Sequence, residues 1–346
     1  MDVKNIDWDK LDFSYKNMPY RYRAYWKDGE WLDGSMVTNN NIVLSESATS
    51  IHYGQQCFEG MKAQCSKEGD VLLFRPEENA KRFQNSARRL RMPAVSKEMF
   101  LNAVRSTVQA NIEYVPPYGH GASMYIRPLL IGIGDNLGVK PAPEYLFTVF
   151  VVPVGPYFKE GFKPVKMKIE LEYDRAAPQG TGDAKVGGNY SAGILPVEKA
   201  REEGYSEVIY LDAREKKYFE ETGAANLFFV FKNGDLATPK SNAILPSITR
   251  KSIVEIARKD FDLNMEHRQV SIDELENIEE AGACGTAAVI TPIGTIGYKG
   301  QDYNFYADGK EPGPITTKLY KQLTQTQVRD IEDTHGWTEK IGNRDK

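Results

Sequence analysis

Strand-like and helix-like stretches alternate through the first 150 residues. "YRYRAYW" (20–26) and "EWLDGSMV" (30–37) flank "KDG", which predicts two strands joined by a tight hairpin turn. "VLLFRP" (71–76) reads as a strand ending at proline. "EENAKRFQNSARRLRMP" then brings Ala80, Phe83, Ala87 and Leu90 onto one helical face, with Pro76 suited to the first turn. "SKEMFLNAVRSTVQANIEYV" predicts a second amphipathic helix with a serine cap. "SMYIRPLLIG" and "YLFTVFVVPVG" are β-branched and aromatic runs, as buried strands require.

The second half opens after "GPYFKEGFKP" (155–164), a stretch dense in glycine, proline and lysine. Strands "VKMKIELE" and "EVIYLD" follow, then a hairpin "NLFFVFKNGDLATP" turning at Asn233-Gly234. A helix over "SITRKSIVEIARKD", the glycine-rich "EAGACGTAAVITPIG" and a last helix over "ITTKLYKQLTQTQVRDIE" complete the pattern. The expectation is an α+β protein of two domains with a cleft between them, residues 1–156 and 165–346, joined by a linker at 157–164.

Composition narrows the chemistry. At 346 residues the chain exceeds what one hydrophobic core usually serves. A net charge of −4 gives no global attraction to nucleic acid or anionic membrane, and no apolar run is long enough to span a bilayer. The acidic start "MDVKNIDWDKLDF" lacks a signal-peptide pattern, so a cytoplasmic protein is expected. Three cysteines without a CxxC pair argue against a disulfide scaffold. Four dispersed histidines and no HExxH argue against a metal site. Lysine, carboxylates, arginine and tyrosine are left to act.

"QGTGDAKVGGNYSAG" (179–193) sets Lys185 among five glycines. A phosphate loop of the GK[ST] kind fails, because valine follows the lysine. A solvated loop lysine and a Schiff-base lysine both remain open on this stretch alone. The second needs an amine that loses its proton easily and then carries protons. A pyridoxal phosphate site also needs a carboxylate at the ring nitrogen, donors for the phosphate and a hydroxyl near the phenolic oxygen. "FEETGAANLFF" (219–229) offers Glu220 and Glu221, of which strand alternation lets only one face a ring. "ILPSITRKSIV" (244–254) offers a serine-capped helix start for the phosphate. "GTAA" (285–288) offers a second turn with a hydroxyl, and Arg82 a cation beside an apolar helix face.

These pieces, together with "HYGQQCFEGMKA" (52–63), "LFRPEENAKRF" (73–83), "MYIRPLLIG" (124–132), "VPVGPYF" (152–158), "KVGGNY" (185–190), "ETGAANLF" (221–228), "ILPSITR" (244–250) and "GTA" (285–287), occur in an order that resembles the branched-chain amino acid aminotransferases. These are fold-type IV pyridoxal phosphate enzymes, and the likeness is to their larger subgroup that includes the animal enzymes. The resemblance covers nearly the whole chain. It implies a smaller N-terminal α/β domain, a larger C-terminal pseudo-barrel domain, a cofactor in the cleft and a homodimer.

It also implies roles. Lys185 holds the cofactor and shuttles the proton, Tyr190 donates to the phenolic oxygen, and Glu221 rather than Glu220 meets the ring nitrogen. Arg82, the N–H groups of Ile248 and Thr249, and the Thr286 hydroxyl hold the phosphate. Phe13, Tyr53, Phe58, Tyr125 and Tyr157 form an apolar wall, with Val139 from a second subunit. Arg127 meets the side-chain carboxylate of glutamate, while Tyr53 and the turn at Thr286-Ala287 meet the α-carboxylate. The implied reaction exchanges the amino group of leucine, isoleucine or valine with 2-oxoglutarate. Two departures are visible: Ala224 where some relatives carry a hydroxyl, and Ala288 and Thr291 where animal members have a CxxC pair, so thiol regulation of that kind is not expected. Cys284 reads as a small buried residue. A D-amino acid aminotransferase, an aminodeoxychorismate lyase and a non-catalytic vitamin B6-binding protein are the competing readings.

Overall fold

The computed structural model describes residue 3, residues 6–156 and residues 162–346. They form two compact units, one of the described residues up to 156 with 184–187 and 325–346, the other of 162–183 with 188–324. The division by composition at 157–164 assigned Lys185 and the C-terminal tail to the second part; here both join the first. Strand pairing explains the tail, because Thr338–Asn343 adds antiparallel to the edge strand Asp70–Phe74. Backbone bonding explains the lysine segment: Phe58 N donates to the Lys185 carbonyl, and Cys57 bridges to Val186.

The first unit is a nine-stranded sheet in which every pairing is antiparallel. Its centre is the long pair Ser123–Ile133 and Glu144–Val154. The expected hairpin forms at Asp28-Gly29, both with φ above zero, joining Arg21–Lys27 to Glu30–Trp31. Helices Pro76–Arg89 and Lys97–Ala110 pack on this sheet through Phe83, Phe100 and Phe147, whose ring centroids lie 5.3 and 5.6 Å from that of Phe83. Truncating one of these rings costs about 3–5 kcal/mol. Period-2 alternation sends Met61, Ala63, Met124 and Ile126 into this core and leaves Lys62, Tyr125 and Arg127 on the other face. Lys62 and Tyr125 are register partners there.

The second unit closes a six-stranded barrel. Its strands run Phe219–Thr222, Glu207–Leu211, Val165–Glu170, Val289–Tyr298, Ile278–Gly285 and Asn226–Phe231, and the last pairs back to the first. Closure removes the exposed edges that an open sheet would present. Leucine, isoleucine and phenylalanine from alternate positions fill it, including Leu227, Phe229, Ile209 and Ile296, all fully buried. Helix Ile248–Asp260 is capped by Ser247, whose hydroxyl accepts from the Arg250 N–H. Among the described residues no helix is long and apolar enough to cross a membrane.

Candidate active site

In the first unit the chemistry gathers behind helix Pro76–Arg89. Phe83 and Ala87 face the core, but Asn79, Arg82 and Ser86, spaced by three and four residues, make a buried polar stripe beside them. That stripe receives Glu59, a fully buried acid on the turn after strand Gln56–Phe58. Arg82 grips Glu59 with both forks, Nε to Oε1 at 2.7 Å and Nη2 to Oε2 at 2.8 Å. Asn79 Nδ2 and the Gly60 N–H also donate to Oε2. Ser86 Oγ accepts from the Lys185 N–H at 2.9 Å. The lysine backbone is therefore fastened on both sides, to Ser86 and to Phe58.

Lys185 as a whole is half-buried, and its ammonium lies 4.7 Å from the centre of the Phe58 ring. Burial, followed by the positive charge of Arg82, pulls its pKa down from 10.5 to about 8. Arg127 lies over the same ring at 4.7 Å, and its Nη2 donates to the Tyr125 hydroxyl at 3.1 Å. Phe13 meets Tyr125 edge-on with centroids 5.1 Å apart. Lys185, Arg82, Phe58, Tyr125, Arg127 and Phe13, six of the residues expected from sequence, are thus linked by contact within one unit.

The second unit carries the acid and a helix start. Glu221 is buried on strand Phe219–Thr222 and its oxygens are held from three directions. Oε1 lies 2.6 Å from Arg175 Nη2 and accepts from the Leu245 N–H at 2.8 Å, while Oε2 accepts from Asn226 Nδ2 at 2.8 Å. Glu220, one residue earlier, points elsewhere, as alternation demands. It accepts from Ser241 Oγ and borders a polar concavity of about 610 Å³ with Asp212, Lys240 and Arg268. Burial raises its pKa. Leu245, on the segment that meets Glu221, leads straight into helix Ile248–Asp260, whose first N–H groups, Ile248 and Thr249, have no acceptor within the helix. One short segment thus joins the acid to a helix start with free N–H donors of the kind that suit an anion.

A family model described as amino-transferase class IV matches residues 56–296. The chain belongs to this family. Curated relatives include branched-chain-amino-acid aminotransferases of Haemophilus influenzae, 48% identical with 98% of this chain and 100% of the relative covered, and of Helicobacter pylori, 48% identical with 99% of each covered. Among solved structures, the branched-chain amino acid aminotransferase of Escherichia coli aligns with a TM-score of 0.79 at 28% identity, covering 94% of this chain and 100% of that one. The branched-chain aminotransferase of the thermophilic archaeon Thermoproteus uzoniensis, solved with norvaline, aligns with a TM-score of 0.76 at 26% identity, covering 92% of this chain and 99% of that one.

Other sequence-predicted residues of this class IV aminotransferase are placed as follows. Tyr190 is half-buried on the short helix Gly187–Ser191. Thr286 and Ala287 form the turn between strands Ile278–Gly285 and Val289–Tyr298, and Val289 leaves it at φ +57°, a costly conformation for a β-branched residue. Tyr53 is 46% exposed and its hydroxyl donates to the Leu137 carbonyl at 2.6 Å, which occupies the donor expected to meet a substrate carboxylate. Val139 is 85% exposed in the same region. Tyr157 lies outside the described residues. Ala224 is exposed at the turn after Glu221, and Cys284 is fully buried with its thiol pushed up to about 12.

Two of the glycines flanking Lys185 are required by packing. A Cβ on Gly182 would stand 2.1 Å from the Ala243 carbonyl, and one on Gly187 would stand 1.9 Å from Gln56 Nε2. The protein's own packing demands both. Sequence reasoning also missed Glu59, Asn79, Ser86, Asn226 and Arg175. For the helix residues a signal existed, a second polar stripe at helical spacing. Arg175, in "YDRAAPQG", offered none.

Proposed function

We propose that this chain is a pyridoxal phosphate-dependent aminotransferase exchanging amino groups between leucine, isoleucine or valine and 2-oxoglutarate, alternating between two cofactor forms. The observation that carries the reading is the Lys185 amine, lowered to about 8 beside Phe58 and a pinned Arg82, in a chain nearly half identical to curated branched-chain aminotransferases over its full length. The donor set of each unit fits the cofactor. One unit supplies an amine and a guanidinium; the other supplies a carboxylate fixed by three donors, a helix start and a hydroxyl-bearing turn.

When bound, the cofactor supplies an aldehyde and an electron-withdrawing ring that acidifies the substrate Cα–H. Lys185 would hold the cofactor covalently, and its amine, near pKa 8, can both take and return the proton at substrate Cα at neutral pH. Glu221 would keep a proton on the ring nitrogen, and Tyr190 would donate to the phenolic oxygen. Arg82, held in place by Glu59, would meet the phosphate. Ile248 and Thr249 N–H groups and Thr286 complete that anchor.

For substrate, Phe13, Phe58 and Tyr125 offer apolar surface to a branched side chain, while Arg127 with the Tyr125 hydroxyl can take the second carboxylate of glutamate. This combination supports one site that accepts both. Exposed Val139 and Leu137 support a homodimer in which that loop meets a second subunit. Turnover of the three branched-chain amino acids against 2-oxoglutarate, with D-alanine as control, tests the reading. Activity with D-alanine alone would replace it with a D-amino acid aminotransferase.

A further inference from the structure

Arg175 sits on irregular chain after strand Val165–Glu170, and it is 6% exposed. A buried guanidinium is costly unless its charge and its N–H groups are met. Here Nη2 lies 2.6 Å from Glu221 Oε1 and donates to the carbonyls of Gly182 at 2.7 Å and Ala243 at 2.5 Å. Its Nε is buried without a partner. The residue therefore leaves one donor unsatisfied while its Nη2 stays beside the acid.

We infer that Arg175 is a positioning residue that holds Glu221 ionised and fixed in orientation, so that a proton shared between this carboxylate and a ring nitrogen stays on the nitrogen. The inference rests on the function proposed above. Its first support is geometric: Arg175, Leu245 N–H and Asn226 pin both oxygens, so the carboxylate cannot turn away. Its second support is the contrast with Glu220, equally buried and hydrogen-bonded by a serine hydroxyl, whose pKa is raised by burial while the charge of Arg175 opposes the rise. A guanidinium at hydrogen-bond distance works in the opposite sense.

Arg175 has a second reach along the chain. The Gly182 carbonyl it holds is three residues before Lys185, and Gly182 is pressed against Ala243 so closely that no side chain fits. Ala243 is in turn two residues before Leu245, which donates to Glu221. One guanidinium thus ties the carboxylate, the segment leading into the lysine and the segment leading into the helix start.

The test compares Arg175→Met and Arg175→Lys holoenzymes with the parent, and repeats Arg175→Lys in a Glu221→Gln background. Unfolding midpoint and bound cofactor per chain are measured first. The readouts are kcat per bound cofactor, KM for leucine, and the pH midpoint of the bound cofactor's visible absorbance. Arg175→Met should shift that midpoint by about one pH unit and lower kcat about tenfold, the equivalent of one unit of lost ionisation, with KM for leucine changing far less. Arg175→Lys should recover part of both, and should have no further effect once Glu221 is glutamine. If Arg175→Met does not fold, Arg175→Lys and the double variant still decide. A spectral midpoint and kcat per bound cofactor equal to the parent's in Arg175→Met, or an Arg175→Lys shift of equal size with and without Glu221, would overturn the inference. A parent protein that binds no pyridoxal phosphate would instead overturn the function on which it rests.

Discussion

The Lys185 amine can be followed without any cofactor. An ordinary lysine near pKa 10.5 is about 0.03% neutral at pH 7, whereas one at about 8 is about 9% neutral, roughly a 300-fold gain in the reactive form. The largest cause is burial, the next the charge of Arg82, with Glu59 opposing. Cofactor-free protein should be trace-labelled with an acylating reagent between about pH 6 and pH 11, with Lys185 quantified by peptide mapping. Labelling should inflect near 8 in native protein and near 10.5 in an unfolded reference. Arg82→Met removes the second cause and leaves Glu59 without its cation, so the inflection should rise. Because the folded-state pKa is lowered, the buried charge destabilises the fold below about 8, and this penalty is relieved as pH rises toward 10.5. A native inflection matching the unfolded one would refute the electrostatic account of the lysine.

Other parts of the structure give shorter predictions. Glu59→Ala strands a buried guanidinium and two further donors, and should cost about 3–5 kcal/mol in denaturant unfolding while weakening phosphate-dependent cofactor binding. Arg127→Leu should raise KM for glutamate and 2-oxoglutarate about 10- to 100-fold, the worth of a charged hydrogen bond, and change KM for leucine little. Glu220→Gln removes a group whose folded pKa is raised; wild-type stability falls as pH climbs from about 4.5 through that raised value, so the variant should gain on it across this window in pH-dependent melting.

Much of this was legible because periodicity is a physical signal. The helix Pro76–Arg89 and its neighbour begin at the proline and serine the pattern nominated, and the strand 123–133 alternates between core and Arg127 as a two-sided sheet must. Lys185, Arg82, Phe13, Phe58, Tyr125 and Arg127 were named from sequence and lie together in one unit. What escaped was partnership. No local pattern marks Glu59 or Glu220 as buried, yet both are, because guanidinium, amide or hydroxyl donors come from distant segments. Arg175 meets Glu221 across 46 positions of chain, on a stretch with neither helical nor strand period. The tail's return to the first sheet was hidden for the same reason: an edge strand carries no label naming its partner.

Lys185 has a rival in this protein. Lys62, opposite Tyr125 on the same sheet, is also lowered to about 8 by burial alone. What separates them is surroundings: Lys185 has Phe58, Arg82 and Glu59, and a backbone fixed by Ser86. Reduction of the pyridoxal phosphate-loaded enzyme with borohydride, followed by peptide mapping, decides between them. The account predicts the pyridoxyl phosphate mass on Lys185 and none on Lys62; label on Lys62, or cofactor released intact after reduction, would contradict it.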